Sequence, residues 1–138
     1  VAVTSTKSVE DAIVTKLQGD ISGLQIEPYP ENPGEYQFLH PKGAILVQYV
    51  GSDYTEPRVL NTVTQVRAMR FMIVLLARNL HGHQGAYSYL DQIHTSLTGF
   101  TPTAATSKMY PVSEEFLDEA NGVWMYRAVY AVRTTETE

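Results

Sequence analysis

His81 and His83 stand one residue apart. On an extended segment that spacing puts both rings on the same side, as a zinc ion would require. A working site would also need a third protein ligand and partners that orient the rings. His94 falls beside Ile93 in a helical pattern, as a packed core or boundary histidine, and Asp91 leans toward a neighbouring helix face, so neither supplies that ligand. The expected role of the pair is structural; a small metal-dependent hydrolase built on His81 and His83 is the alternative. A second candidate is the acidic group Glu114, Glu115, Asp118 and Glu119. Paired carboxylates hydrolyse glycosides when one is desolvated and held protonated. These flank a turn, where water is not excluded, so a solvated face that discourages edge-to-edge strand pairing is expected.

Arg67, Arg70 and Arg78 punctuate a long apolar segment. They would either form ordinary ion pairs and snorkel at its ends, or dock onto acidic patches of another subunit. Phosphate-cradling glycine loops, dinucleotide fingerprints and nucleophile elbows are missing from the sequence. With no cysteine, the chain has no disulfide, thiolate metal site or cysteine nucleophile. No enzyme activity and no cofactor are expected.

The elements that must position these residues follow from periodicity. Ser8 reads as an N-cap with Asp11 three residues on, and Val9, Ala12, Ile13 and Leu17 fall on one face of a helix closed by Gly19 and Gly23. Leu24 to Glu27 alternates as a short strand that Pro28 and Pro30 end, before a proline-rich loop. Ala44 to Val50 is a strand buried on both faces. Val63 to Arg78 has helix-favouring composition, but its core "RFMIVLLAR" is short for a buried helix, so a long strand is expected. Ala86, Leu90, Ile93 and Leu97 form the stripe of a second helix, which Gly99 ends in a left-handed conformation with Phe100 folding back. Tyr110 to Asp118 and Val123 to Arg133 form a hairpin joined through Glu119-Ala120-Asn121-Gly122, where Asn-Gly is the turn signal, with Trp124, Tyr126, Ala128, Tyr130 and Val132 on one face. The expected fold is one α+β domain over residues 1–138. It has a largely antiparallel or mixed sheet, a long β-hairpin and two helices packed on one face.

A 138-residue chain with 43% hydrophobic and 18% charged residues suits one ordered domain. Its net charge of −5 opposes general nucleic-acid binding, which needs a basic face. The longest apolar run, Phe71 to Ala77, is far short of the ~20 residues that span a bilayer, and "VAVTSTKSVED" has no signal-segment character. A soluble protein without a cleavable signal or membrane contact is expected.

"LARNLHGHQGAYSYLDQIHTSLTGF" and "MYPVSEEFLDEANGVWMYRAVYAV", with "EPYPENPGEYQFLHPKGAILVQYVGS" upstream, resemble the Mu-like phage tail terminator family of contractile-tail phages. The A-R-N-L-x-G-x-x-G-A-Y run and the N-G-V-W arm carry most of the resemblance. It implies a virion structural protein at the neck-proximal end of the tail, assembled in the host cytoplasm. Such a protein would form a homo-oligomeric, hexameric ring that caps tail tube and tail sheath proteins, stops their polymerisation and docks neck or head-completion proteins. DNA would pass through its lumen without specific binding. The resemblance transfers no catalytic residue. It implies that Arg78, Asn79, Leu80, Gly82, Gly85, Ala86 and Tyr87 shape a strand-to-helix joint, Gly82 and Gly85 supplying backbone angles that other residues resist. A monomeric adaptor module is the remaining alternative.

A ring requires each subunit to give one surface and receive another. The candidate contact residues are Arg67, Arg70, Arg78, His81, His83, Asn121, Gly122 and Trp124. Replacing Asn121 or Gly122 by a β-branched residue is expected to damage the tight turn and lower assembly. Oligomer yield against the parent protein checks this, and normal rings from such a variant would remove the hairpin from the assembly mechanism.

Overall fold

The computed structural model describes residues 4–29, 42–78, 83–120 and 122–137. In chain order these form α1 (Thr6–Asp20), β1 (Gln25–Pro28), β2 (Gly43–Tyr54), β3 (Thr64–Arg78), α2 (His83–Leu97), β4 (Tyr110–Ala120) and β5 (Val123–Thr137). The strands make one sheet in the order β1-β2-β3-β5-β4. β1 runs parallel to β2 and every other pairing is antiparallel. Both helices lie on one face, α1 over β1 and β2, α2 over β3 and β5. The fold is α+β, as the periodicity implied.

β3 decides the architecture. It pairs with β5 at every position from Thr64↔Thr137 to Arg78↔Val123, and on its other edge with β2 from Tyr54↔Arg67 to Gly43↔Ala77. A continuous helix would leave no such edges, so tertiary pairing overrides the helix-favouring composition. Because strand residues alternate in direction, Met69, Phe71, Ile73, Leu75 and Ala77 face the helices. They meet Val9, Ile13 and Leu17 of α1, Ala86, Leu90, Ile93 and Leu97 of α2, and Tyr126, Ala128, Tyr130 and Val132 of β5 in one core. Ala44, Leu46, Val74 and Leu76 form a smaller apolar cluster, with Tyr29, Met72, Val123 and Met125 against it.

Several local expectations change. The N-cap of α1 is Ser5, whose hydroxyl accepts from the Ser8 amide at 3.2 Å, and not Ser8. Asp11 is one turn inside the helix, paired with Lys7 at 2.7 Å. Gly19 lies within α1; the helix ends at Ile21, whose amide donates to Leu17 O at 2.9 Å. Pro28 closes β1 from inside it, and the next amide, Tyr29, donates to Val47 O at 2.8 Å. β2 continues past Gly51 to Tyr54 because a register shift between Tyr49 and Gly51 absorbs the interruption. Gly85 sits in the first turn of α2 and has no positive φ. Gly99, at φ 83, ends the helix as expected, and the Phe100 amide donates back to Leu97 O at 3.1 Å. The backbone demand falls instead on Gly43: its φ is 144, and an added Cβ would lie 2.0 Å from Leu76 O. Only glycine lets β2 approach β3 there.

At the other end of β3, Arg67 shares the core-facing parity and is 6% exposed. Its Nε donates to Ser52 Oγ (3.0 Å). Nη1 donates to Thr4 O (3.2 Å) and Glu136 Oε1 (3.0 Å), and Nη2 to Thr6 Oγ1 (3.0 Å) and the Tyr49 hydroxyl (3.3 Å). Burial would lower its pKa, but bonds to Tyr49 and Glu136 outweigh burial and hold it above the ordinary arginine value. One guanidinium thus joins the start of α1, β2 and β5. Nearby, Thr4 and Thr134 share a hydroxyl hydrogen bond at 2.6 Å. The two helices are joined separately: Ser96 Oγ donates to Asp20 Oδ2 at 2.8 Å.

Arg67→Met, which keeps the stem and deletes the donors, is expected to cost about 3 kcal/mol, because it strands the part-buried Glu136 carboxylate and several hydroxyls. The denaturant midpoint checks it. Tyr130 gives a pH signature: burial, with Glu114 nearby, pushes its phenol up to about 12. The folded value lies above the unfolded one, so this contribution is complete below pH 10 and is lost as pH rises to about 12. Tyr130→Phe should therefore flatten the decline of stability over that interval, measured as denaturant midpoint against pH.

Candidate assembly surface

The hairpin arm furthest from α1 has an unusual exposure pattern. β4 is an eleven-residue edge strand exposed at every position. Its inner edge is paired with β5, and α2 packs over β3 and β5, so the helix-side face of β4 extends beyond the helical layer. Register shifts between Pro111 and Ser113 and between Phe116 and Asp118 break its regularity. Such bulges twist an edge away from indiscriminate pairing.

The turn is shorter than the expected connection from Glu119 to Gly122, because β4 continues to Ala120: Ala120 pairs with Val123, and Gly122 has φ 79. Its amide donates to Glu119 Oε1 at 3.0 Å, and the Glu119 amide donates to Asp118 Oδ1 at 2.8 Å. Glu115 forms an ion pair with Arg127 on the face away from the helices. Glu114, Glu115, Asp118 and Glu119 are all exposed. No carboxylate of this group is desolvated as a general acid needs to be.

On the helix side of the hairpin, aromatic rings form a chain. Phe116 lies 5.9 Å from Trp124 and 5.4 Å from Tyr126, and Tyr126 lies 6.3 Å from Tyr87 of α2. Tyr126 is buried, Trp124 half-buried, and Phe116 and Tyr87 are 49% and 50% exposed. Burial, then Tyr87, raises the Tyr126 phenol. Beside Tyr87, an open cavity of about 600 Å³ runs along α2 between Ser88, Asp91, Gln92 and Thr95. Aromatic rings that combine an apolar body with exposure are typical of protein contact surfaces.

The sequence-predicted contact residues separate. Trp124 and Gly122 belong to this hairpin. Arg67 is buried, and its donors bond within the chain, so it positions elements of its own fold. Arg70 is on the opposite face, ion-paired with Asp53 across the β2–β3 edge. Arg78 ends β3, exposed, its amide donating to Lys42 O at 2.9 Å. His81, Asn121, the Asn79, Leu80 and Gly82 part of the joint, and the proline-rich 30–41 segment lie outside the described residues, as does the side chain of His83. His94 is exposed, not packed, because the α2 stripe that turns inward is Ala86, Leu90, Ile93 and Leu97. Among the described residues no three His, Cys, Asp or Glu side chains are grouped to hold a metal ion, and no helix is long and apolar enough to cross a membrane.

Residue-type reasoning overlooked Phe116 and the nine-residue loop 55–63, where Val59 is exposed and Leu60 fully so, and it placed Tyr87 only in the strand-to-helix joint. A usable signal for Phe116 was present: two positions from Glu114, it shares a face with a charged residue in a strand whose acids were expected to discourage edge pairing.

No curated protein matches the chain. A family model described as "Gp37 protein" matches residues 13–138, which takes in the second half of α1, the whole sheet with its hairpin, and α2. The chain therefore belongs to the Gp37 protein family, phage tail-associated structural proteins.

Proposed function

We propose that this chain is the tail terminator of a contractile phage tail: it closes into a hexameric ring, seats on the end of the tail tube and sheath, halts their growth and presents its far side to neck or head-completion proteins. The observation that carries this reading is β4, a full-length strand exposed on both faces, with apolar Val112, Phe116 and Leu117 in the open. Such a surface in a protein of this size is suited to being covered on assembly. The family supports a tail location, and the resemblance to Mu-like terminators supplies the ring and its capping role.

Termination follows from unlike faces. The ring side that meets the tube must complement it, and the other must lack a tube-like surface, so that a further layer finds nothing to bind. The net charge of −5 suits a lumen through which DNA slides, since basic walls would retain phosphates. The reading needs no catalytic group.

Purified protein mixed with polymerising tail tube protein should shorten the tubes and appear as a density at one end only, with a particle mass six times that of the chain. Tubes of unaltered length with bare ends would reject the proposal, and a strongly positive inner wall in an imaged ring would reject the role assigned to the acids.

A further inference from the structure

We infer that neighbouring copies join head to tail, the Leu117-Asp118-Glu119 corner of one β4–β5 hairpin seating in a basic trough at the far end of the sheet in the next copy. The inference deepens the ring reading and rests on it. Two adjoining cavities of about 290 and 320 Å³ make the trough and share Val66 and Thr135. Ser107 and Arg133 line the first, Arg58 and Val59 the second. Both walls are tied to the sheet. On one side the Thr55 amide donates to Val66 O at 3.0 Å and the Val66 amide to Thr55 Oγ1 at 2.9 Å. On the other the Ser107 amide donates to Arg133 O at 2.7 Å and the Arg133 amide to Ser107 Oγ at 2.9 Å. A site braced in this way loses little freedom when it is filled.

Unpaired charge of opposite sign collects at the two ends of β5. At the trough end Arg58, Lys108 and Arg133 are exposed, and among the described residues none of them has a carboxylate partner. Of the acids there, Asp53 is held by Arg70 and Glu136 by Arg67, which leaves Glu56 beside Thr55. At the hairpin end Arg127 neutralises Glu115, whereas Glu114, Asp118 and Glu119 have no cationic partner among the described residues. The other cations at that end, Arg78 and Lys42, stand two and three strands in from β4. Leu117, 43% exposed at the bulge between Phe116 and Asp118, sets an apolar group beside the acids, as Val59 and Val66 do beside the arginines. Apolar surface thus meets apolar surface, and carboxylates meet guanidinium groups.

The two surfaces cannot meet within one chain. Asp118 pairs with Met125, and Thr135 lies far along the same strand, roughly 33 Å away at the rise of a strand. A second copy supplies the hairpin. Because the surfaces sit at opposite ends of β5 and differ, the contact is heterologous and repeats from copy to copy until rotation closes it.

The chain has no cysteine, so introduced thiols report without background. Assembly of the unaltered protein, alone and on tail tubes, is scored first by mass and imaging. Leu117→Cys is then mixed with Thr135→Cys and oxidised, with Ser107→Cys on the trough wall as a second acceptor should Thr135→Cys fail to fold. The expected result is a dimer from either mixture, none from a single variant alone, and a ladder ending at the ring number from Leu117→Cys/Thr135→Cys. Arg133→Glu should weaken association about tenfold, and Asp118→Arg in the same chain should restore it. Rings or capped tubes that form without these cross-links, Leu117→Cys joined to itself, Thr135→Cys joined to tail tube protein, or an Arg133→Glu variant that either associates normally or is not restored, overturn the contact while leaving the ring reading in place. Failure of the unaltered protein to self-associate in either setting overturns both.

Discussion

Strand β3 is bonded along both edges, to β2 on one side and β5 on the other, and that double pairing settles the direction of side chains in three strands at once. A slip of one residue would send every core residue of β3 to the other face. The alternative register would place Arg70 and Met72 under the helices and expel Met69, Phe71, Ile73 and Leu75 from the core they share with α1 and α2. The glycine at the start of β2 contributes from the other end, since the approach of its backbone to Leu76 admits no side chain.

Arg67 shows how the same parity can internalise a charge. Its position would bury a guanidinium against Tyr49 and Tyr54, whose rings lie 5.9 and 5.8 Å away. That is tolerable only because every nitrogen has an acceptor. The bonds then specify where α1 begins and where the end of β5 lies. Stability of the sheet and placement of the first helix are consequently one problem. Glu136, near the end of the described chain, is part of its solution.

Much of this was legible in the sequence. The α2 stripe, the place of the Asn-Gly turn and the inward face of β5 all follow from period and turn chemistry, because each is decided by neighbours within a few positions. The identity of β3 as a strand needed its long-range partners, and composition pointed the other way. The alternation that places Arg67 beside Met69 and Phe71 was also readable, but three arginines in one segment invited treatment as a set. Parity divides them: Arg67 inward, Arg70 and Arg78 outward. The open face of β4 was not legible, since it depends on α2 lying over β3 and β5, a fact about layers and not about any local pattern.

The β3–β5 ladder also bears on the order in which the chain acquires structure. Its two strands are separated by the whole of α2 and β4, whereas β2 with β3, and β4 with β5, are joined by short loops. Local hairpins close cheaply, and distant pairings pay loop entropy before they are rewarded. Two hairpins would thus exist before the central seam is zipped, each with an apolar flank open to aggregation. The carboxylates of β4 then act as gatekeepers during synthesis, keeping nascent sheets apart until the seam closes.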